Sequence, residues 1–347
     1  MKYGKRIALL LGLMLLVVTG VYIIKQPSYS IATSGTLYVV NKGSKNITIF
    51  DLAKGQEIKE LALADEPHEA TIVASPNRLV VTNYGSPDNA GNSITLIDME
   101  TNTIEKTISL GKSLRPHGIM TMPQGNTVGV VTDAGNHLSV VNVDTGVLQK
   151  QLSTQQDFSH LLVHHPFKPL VYVSNINSGS ISVIDVKIDS VVKIISCSKR
   201  AEGIDIAPNG SEIWVTNIEE NAISVINTET YETTAKIDTG KQPLRLKFSK
   251  DGKFCLVSNS GDGTVSVYDT ETKKQIATVV IPGKKNLLEK LVYGTPRPVG
   301  ILIHPNGLYA FISNYNAGRV EVLDMQNFTL VSSVKVGKMP DGLALLP

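Results

Sequence analysis

Cysteine is nearly absent from this chain. Cys197 and Cys255 are the only two in 347 residues, and they fall in different repeats of the pattern described below. A disulfide between separate repeats is not expected, so both are read as free thiols. Aromatic residues make up only 5%, and Lys+Arg (33) nearly balances Asp+Glu (31), for a net charge of +2 with no basic run. Nucleic-acid binding needs a cationic stripe or stacking platforms, and neither is present. Also missing are a Gly-x-Ser-x-Gly elbow, a Walker loop and a Cys-x-x-Cys-His haem-attachment site.

One short phrase, in contrast, occurs seven times. It reads Leu37-Tyr38-Val39-Val40-Asn41, Leu79-Val80-Val81-Thr82-Asn83, Gly129-Val130-Val131-Thr132-Asp133, Val171-Tyr172-Val173-Ser174-Asn175, Ile213-Trp214-Val215-Thr216-Asn217, Cys255-Leu256-Val257-Ser258-Asn259 and Ala310-Phe311-Ile312-Ser313-Asn314. Four of the six steps between closing residues are 42 residues; the others are 50 and 55. A period in this range, with several short strands per unit, points to propeller blades.

One unit shows the plan. Gly203-Ile204-Asp205-Ile206-Ala207 is a short apolar run, Pro208-Asn209-Gly210 turns, and Ile213–Thr216 is β-branched and aromatic. Ile223–Asn227 then alternates, Thr228-Glu229-Thr230 turns, and Thr233–Ile237 extends. Each run is too short for a typical helix, so the unit reads as four strands, A to D. Asp51, Asp98, Asp144, Asp185, Asp269 and Asp324, with Asn227, are placed at the end of strand C. They read as turn residues accepting backbone N–H bonds, not as a metal array. The Asn closing each phrase is given the same reading.

These motifs resemble the Tyr-Val-Thr-Asn (YVTN) repeat proteins. Val183-Ile184-Asp185 and the Pro-Asn-Gly turns at 208–210 and 305–307 belong to the same pattern. The resemblance covers residues 36 to 347 and implies an all-β, seven-bladed propeller of four-stranded antiparallel blades. Its functional implication is broad, because the family includes surface-layer-like proteins, periplasmic binders and enzyme-related propellers. Leu37 opens a strand B with no strand A before it, and Asp341–Leu346 is a strand A with no B after it. The two orphans are expected to pair, closing the ring in the first blade.

Residues 1–25 differ in kind. Lys2, Lys5 and Arg6 precede an apolar run from Ile7 to Ile24 that stops at Lys25. This reads as an export signal or uncleaved anchor just long enough to span a bilayer. Residues 26–35 read as a tether. The expected location is the outer face of the cytoplasmic membrane, the periplasm or the cell surface, with the membrane a partner through this segment.

Repeats are most informative where they differ. Counting back 15 residues from each closing Asn (16 from Asp133) reaches the opening of strand A, the innermost strand. Around the ring this position holds Asp341, His68, His117, His160, Glu202, Leu244 and Val299. Five of these can ligate metal and are contiguous. Three imidazoles flanked by two carboxylates suit Zn, Fe, Mn or Cu. A hydrated polar channel is the alternative. Arg115, Arg200 and Arg297 share a slot two residues earlier, and Arg245 follows Leu244. These guanidinium groups are candidates to hold an anionic ligand. Two insertions, at 84–92 and 283–296, fall on the same end of the ring, and residues 287–292 have the spacing of a short helical lid. His137, His164, His165 and His304 are assigned structural or surface roles. The reading that follows is an exported propeller that binds a small ligand or protein partner at this top face. The alternative is a metal-dependent lyase or lactonase-like hydrolase acting there.

Overall fold

The computed structural model describes residues 29–75, 77–283 and 294–347. The expected leader (1–25) and helical lid (287–292) lie outside the described residues. Twenty-eight strands, from β1 (Thr36–Asn41) to β28 (Pro340–Leu346), form seven four-stranded antiparallel sheets. Six sheets use four consecutive strands. The remaining one has the order β28-β1-β2-β3, with β2 (Asn46–Asp51) and β3 (Gln56–Ala62) outermost. There Tyr38 pairs with Ala344 and Leu37 with Leu345, so the expected closure is present.

Burial explains the sequence pattern. Strands B and C are covered on both faces, as in Leu170–Asn175 and Ser180–Asp185, and so read as nearly continuous apolar runs. Strand D is the outer edge and alternates with solvent, as in Val147–Ser153. Seven apolar clusters fill the spaces between neighbouring blades; one combines Tyr172 and Val183 of blade 4 with Ile204, Ile213 and Val215 of blade 5.

The phrase of the repeat is a hydrogen-bonding device. Its closing Asn is a buried strand residue, not the turn residue expected. Its Nδ2 donates to a hydroxyl on strand C: Asn41 to Thr48, Asn83 to Thr95, Asn175 to Ser182, Asn217 to Ser224 and Asn259 to Ser266, all at 2.9–3.0 Å. In blade 7 the acceptor is Glu321, at 2.9 Å. The Ser or Thr before the Asn bonds across to the next blade. Ser174 Oγ donates to the Glu202 carbonyl at 2.7 Å, and Ser313 Oγ to that of Asp341 at 2.6 Å. Turns at the strand C ends do carry the expected caps; Asp98 Oδ1, for example, accepts the Thr101 N–H at 2.8 Å.

Blade 3 corrects two readings. Thr132, not Asp133, occupies the Asn position, since Pro116 pairs with Thr132 as Pro67 pairs with Asn83. The count back to His117 is then 15, as elsewhere. The turn cap of this blade is Asn142, whose Oδ1 accepts the N–H of Thr145, and not Asp144.

Candidate functional site

Each strand A breaks register with strand B at its first residues. The shift falls between Pro67 and Ala70, Pro116 and Ile119, Ser159 and Leu161, Ala201 and Ile204, Pro243 and Arg245, and Pro298 and Ile301. Such bulges re-aim side chains, and here they turn the residue after the opening Pro, Ser or Ala toward the axis. Glycine follows in four blades because neighbouring backbone is close. A Cβ on Gly203 would lie 2.3 Å from the Leu244 carbonyl, and one on Gly300 2.2 Å from that of Asp341. Blade 2 carries Glu69 instead, and blade 6 carries Arg245.

The five predicted ligands meet at this end and are buried, each no more than 8% exposed. They do not converge on one point. The imidazoles stack, with centroids 3.9 Å apart for His68–His117 and 3.6 Å for His117–His160. Two overlapping triads result, His68–Glu69–His117 and His117–Asp133–His160. In each, the ligand atoms lie within 4.8 Å of one another.

Hydrogen bonding separates the cluster into a spent half and an open half. Tyr84 Oη donates to Asp133 Oδ2 at 2.9 Å. His160 Nδ1 bonds Asp133 Oδ1 at 3.1 Å and its Nε2 bonds Glu202 Oε1 at 3.0 Å. Arg245 Nη1 donates to Glu202 at 3.0 Å and Nη2 to Glu69 at 3.0 Å, spanning the axis from blade 6 to blade 2. Burial opposes charge on His160, but Glu202 and Asp133 outweigh it and raise its pKa to about 9. Burial opposes the Glu202 carboxylate too, yet His160 and Arg245 bring its pKa down to about 2. Both are therefore ionised partners, with both ring nitrogens of His160 and Oε1 of Glu202 engaged.

His68, His117 and Asp341 differ. Burial, with Lys42 and Arg245 nearby, keeps His68 well below the usual imidazole range. Burial, with His160 and His68, does the same for His117. Both rings are neutral. Burial and Glu69 raise Asp341 to about 7. Among the described residues, His68 Nδ1, His117 Nδ1 and Asp341 Oδ1 are buried and have no hydrogen-bond partner. The closest approach, His68 Nδ1 to Asp341 Oδ2, is 3.4 Å and forms no hydrogen bond.

The rim does not place the arginines together. Arg115, Arg200 and Arg297 share one left-handed position, with φ of 60°, 61° and 56°. Phe158, Gln242 and Met339 occupy it in other blades, so the slot itself is structural. Arg115 stacks on Tyr84 at 5.2 Å and Arg297 on Tyr315 at 4.9 Å, while Arg200 is exposed. Arg245 is no member of this set; it belongs to the buried cluster. The residue after each closing position forms a second ring that sequence reading missed: Lys42, Tyr84, Asp133 and Tyr315 lie on it. Tyr84, at the base of the longer hairpin, covers the cluster, 5.0 Å from the His68 ring and 5.7 Å from that of His117. Glu69 was also missed, although His68-Glu69 stands against His117-Gly118 and Asp341-Gly342. Below the cluster runs a central channel of about 520 Å³, lined by Thr71, Ile119, Val163, Asp205, Lys247 and Leu302 among others.

The other histidines are turn caps or wall residues. His165 Nδ1 accepts the Lys168 N–H and His304 Nδ1 that of Asn306. No disulfide joins the cysteines; Cys255 is buried and Cys197 partly so.

A seven-fold ring of four-stranded sheets with a polar cluster at one mouth defines a propeller of the lactonase type. The chain belongs to that family: the model for "Lactonase, 7-bladed beta-propeller" matches residues 15–278. Solved structures support the fold. A functionally unknown protein from Desulfotomaculum acetoxidans is similar at 15% identity and TM-score 0.73, over 90% of this chain and 99% of that one. Kuenenia stuttgartiensis hydrazine synthase is similar at 18% identity and TM-score 0.69, over 80% and 89%. Dihydro-heme d1 dehydrogenase NirN, in complex with DHE, is similar at 13% identity and TM-score 0.63, over 90% and 66%. No curated protein matches the chain significantly.

Proposed function

We propose that the protein binds a small ligand at the top mouth of its channel through a divalent transition metal held by His68, Glu69 and His117, whose ligand atoms lie within 4.8 Å of one another, with Asp341 beside them. One observation carries this reading: three buried atoms of metal-ligating type, on His68, His117 and Asp341, lack hydrogen-bond partners at this mouth. Buried polar atoms are rarely left unsatisfied, so an unpaired set marks a place for a missing group. Two neutral imidazoles and a carboxylate suit Zn, Fe, Mn or Cu. His160, Glu202 and Arg245 are then supports, not ligands. They hold Glu69 and Asp133 in place, and Tyr84 shields the rings from above. Arg115 and Arg297 form no ion pair among the described residues and suit the capture of an anionic ligand at the rim.

Family membership favours a second reading at the same site, lactone hydrolysis. A divalent metal would supply Lewis-acid polarisation of a carbonyl. Asp341, whose Oδ1 has no partner, is the carboxylate free to orient water beside it, while Tyr84 Oη is already committed to Asp133. The solved neighbours support only the use of such rings as platforms.

Metal analysis of untagged protein tests the site. Near-stoichiometric Zn, Fe, Mn or Cu is expected, falling below about a tenth in a His68→Ala/His117→Ala double variant that keeps its circular dichroism and cooperative unfolding. A metal content unchanged by that substitution, or none after incubation and dialysis, overturns the assignment. Lactone turnover that follows metal content would favour the second reading.

A further inference from the structure

The segment before β1 is not a free tether. Tyr29 Oη donates to the Leu52 carbonyl at 2.6 Å, and its ring packs edge-on against Phe50 at 5.0 Å. Tyr29 also lies over Gly55, where any Cβ would meet the ring at 2.5 Å. The Ser30 N–H donates to Ser332 Oγ at 3.2 Å. Thr33 Oγ1 and the Ser34 carbonyl both meet His304 Nε2, at 3.1 and 3.0 Å, and Asn306 Nδ2 donates to Thr33 Oγ1. Five hydrogen bonds and one ring–ring contact therefore fix residues 29–34 on blades 1 and 7.

All but the Ser332 contact, which falls midway along the last strand D (Thr329–Lys335), lie at one end of the ring. Strand A runs from the cluster end to the opposite end, and His304 and Asn306 follow the last residue of strand A in blade 7, Pro298–Ile303. Leu52 likewise follows β2, which runs the same way. The chain thus enters the propeller at the end away from His68, His117 and Asp341. A six-residue strand spans roughly 20 Å, which is the minimum separation of entry and site.

Only Gln26, Pro27 and Ser28 separate the docked Tyr29 from Lys25, where the apolar run from Ile7 to Ile24 stops. Even fully extended, the stretch from Lys25 to Tyr29 covers about 14 Å. A ring held so closely, at a point itself pinned by six contacts, cannot turn over. The same end also carries exposed apolar side chains on its turns. Phe167 is 75% exposed, Ile188 63% and Val147 54%; at the other end only Val280, at 72%, compares among the described residues.

We infer that the face opposite the cluster lies against the lipid bilayer, with the leader retained as its anchor, so that the cluster opens away from the membrane. The occupant of this face is the bilayer surface itself. The inference is independent of whether a metal is bound.

Site-specific fluorescence in liposomes tests it. Full-length protein with Cys197→Ser would carry a label at Gln124→Cys, on a turn of the bottom end, or at Asp88→Cys, on the hairpin of the cluster end. In vesicles of phosphatidylcholine bearing nitroxide-labelled acyl chains, quenching at Gln124→Cys should exceed that at Asp88→Cys at least threefold. Adding Tyr29→Ala and Thr33→Ala frees about ten residues of linker and should reduce the ratio toward one. A ratio near or below one in the parent overturns the orientation. So does recovery of the mature protein in the soluble fraction without residues 1–25. A ratio unaffected by Tyr29→Ala and Thr33→Ala would show that the docked segment does not set the orientation, and would overturn the inference drawn from its contacts.

Discussion

Blades 3 and 5 start from one plan and end differently. In blade 5 the closing Asn217 bonds Ser224 at 2.9 Å, and the next residue, Ile218, is an apolar filler. In blade 3 the same two positions hold Thr132 and Asp133. Thr132 Oγ1 is buried with no hydrogen-bond partner, and Asp133 is buried between Tyr84 and His160. Blade 5 makes its internal bond, although Asn217 Oδ1 has no hydrogen-bond partner. Blade 3 forgoes that internal bond and presents a carboxylate to the ring. The difference teaches that stability and chemistry occupy adjacent residues here, so one position of displacement separates a scaffold role from a site role.

Removing the charge from blade 3 should have the largest effect. Asp133→Asn leaves the buried imidazolium of His160 with one carboxylate instead of two, at a cost of about 2–3 kcal/mol at neutral pH. The sign of the pH dependence follows from a folded pKa of about 9 against an ordinary 6.5. Stabilisation by this ion pair is complete below pH 6.5 and is lost as pH rises through about 9. In the variant that loss should begin at lower pH. Urea unfolding between pH 6 and 10, with an NMR titration of His160, reads both effects. An unchanged titration would show that Asp133 does not hold the proton.

Blade 7 offers a third form of the same pair, and a smaller effect. Glu321 replaces the strand C hydroxyl and is only 2% exposed. Burial raises its pKa above the ordinary 4.5. At low pH both folded and unfolded chains are protonated and nothing is lost. As pH rises past 4.5 the unfolded chain ionises first, so stability falls until the folded pKa is passed. Glu321→Gln keeps an acceptor for Asn314 and should unfold at higher urea than the parent at pH 8, with no difference at pH 4. The same gain at both pH values would place the effect in packing and not in ionisation.

The smallest effect sharpens the comparison from the other side. Thr132→Asn gives blade 3 the donor that blade 5 has, aimed at Ser139, and should add about 0.5–1.5 kcal/mol in urea unfolding. A loss instead would mean that blade 3 has no room for the Asn–Ser bond.

The ring was legible because its signal is redundant: seven copies of one phrase, and two orphan strands that only a closed circle satisfies. Five site residues were legible by counting alone, since His68, His117, His160, Glu202 and Asp341 share one register position. The rest escaped because the count took one residue per blade, whereas the bulge presents two. Glu69 occupies the second place, where Gly118, Gly203, Gly300 and Gly342 stand elsewhere; Arg245, which shares it, was singled out but grouped with the rim arginines. Asp133 escaped because blade 3 was aligned on an Asn-like residue that the blade lacks, although the odd count of 16 carried the clue. Tyr84 was visible as part of an insertion, but its ring packing depends on coordinates. The hydrogen bonding that divides the paired from the unpaired members of the cluster has no trace in sequence.

Strand β28 brings the last residues of the propeller back to its first blade, and it also delivers Asp341. Clasp and candidate-site residue are thus the same short stretch. During synthesis the hoop stays open until these final residues emerge, and the buried carboxylate of Asp341 arrives with them. A chain that stops before Pro340 forfeits its mechanical seam and one carboxylate of the buried cluster at one stroke, so completion of the mouth doubles as a readout of finished assembly.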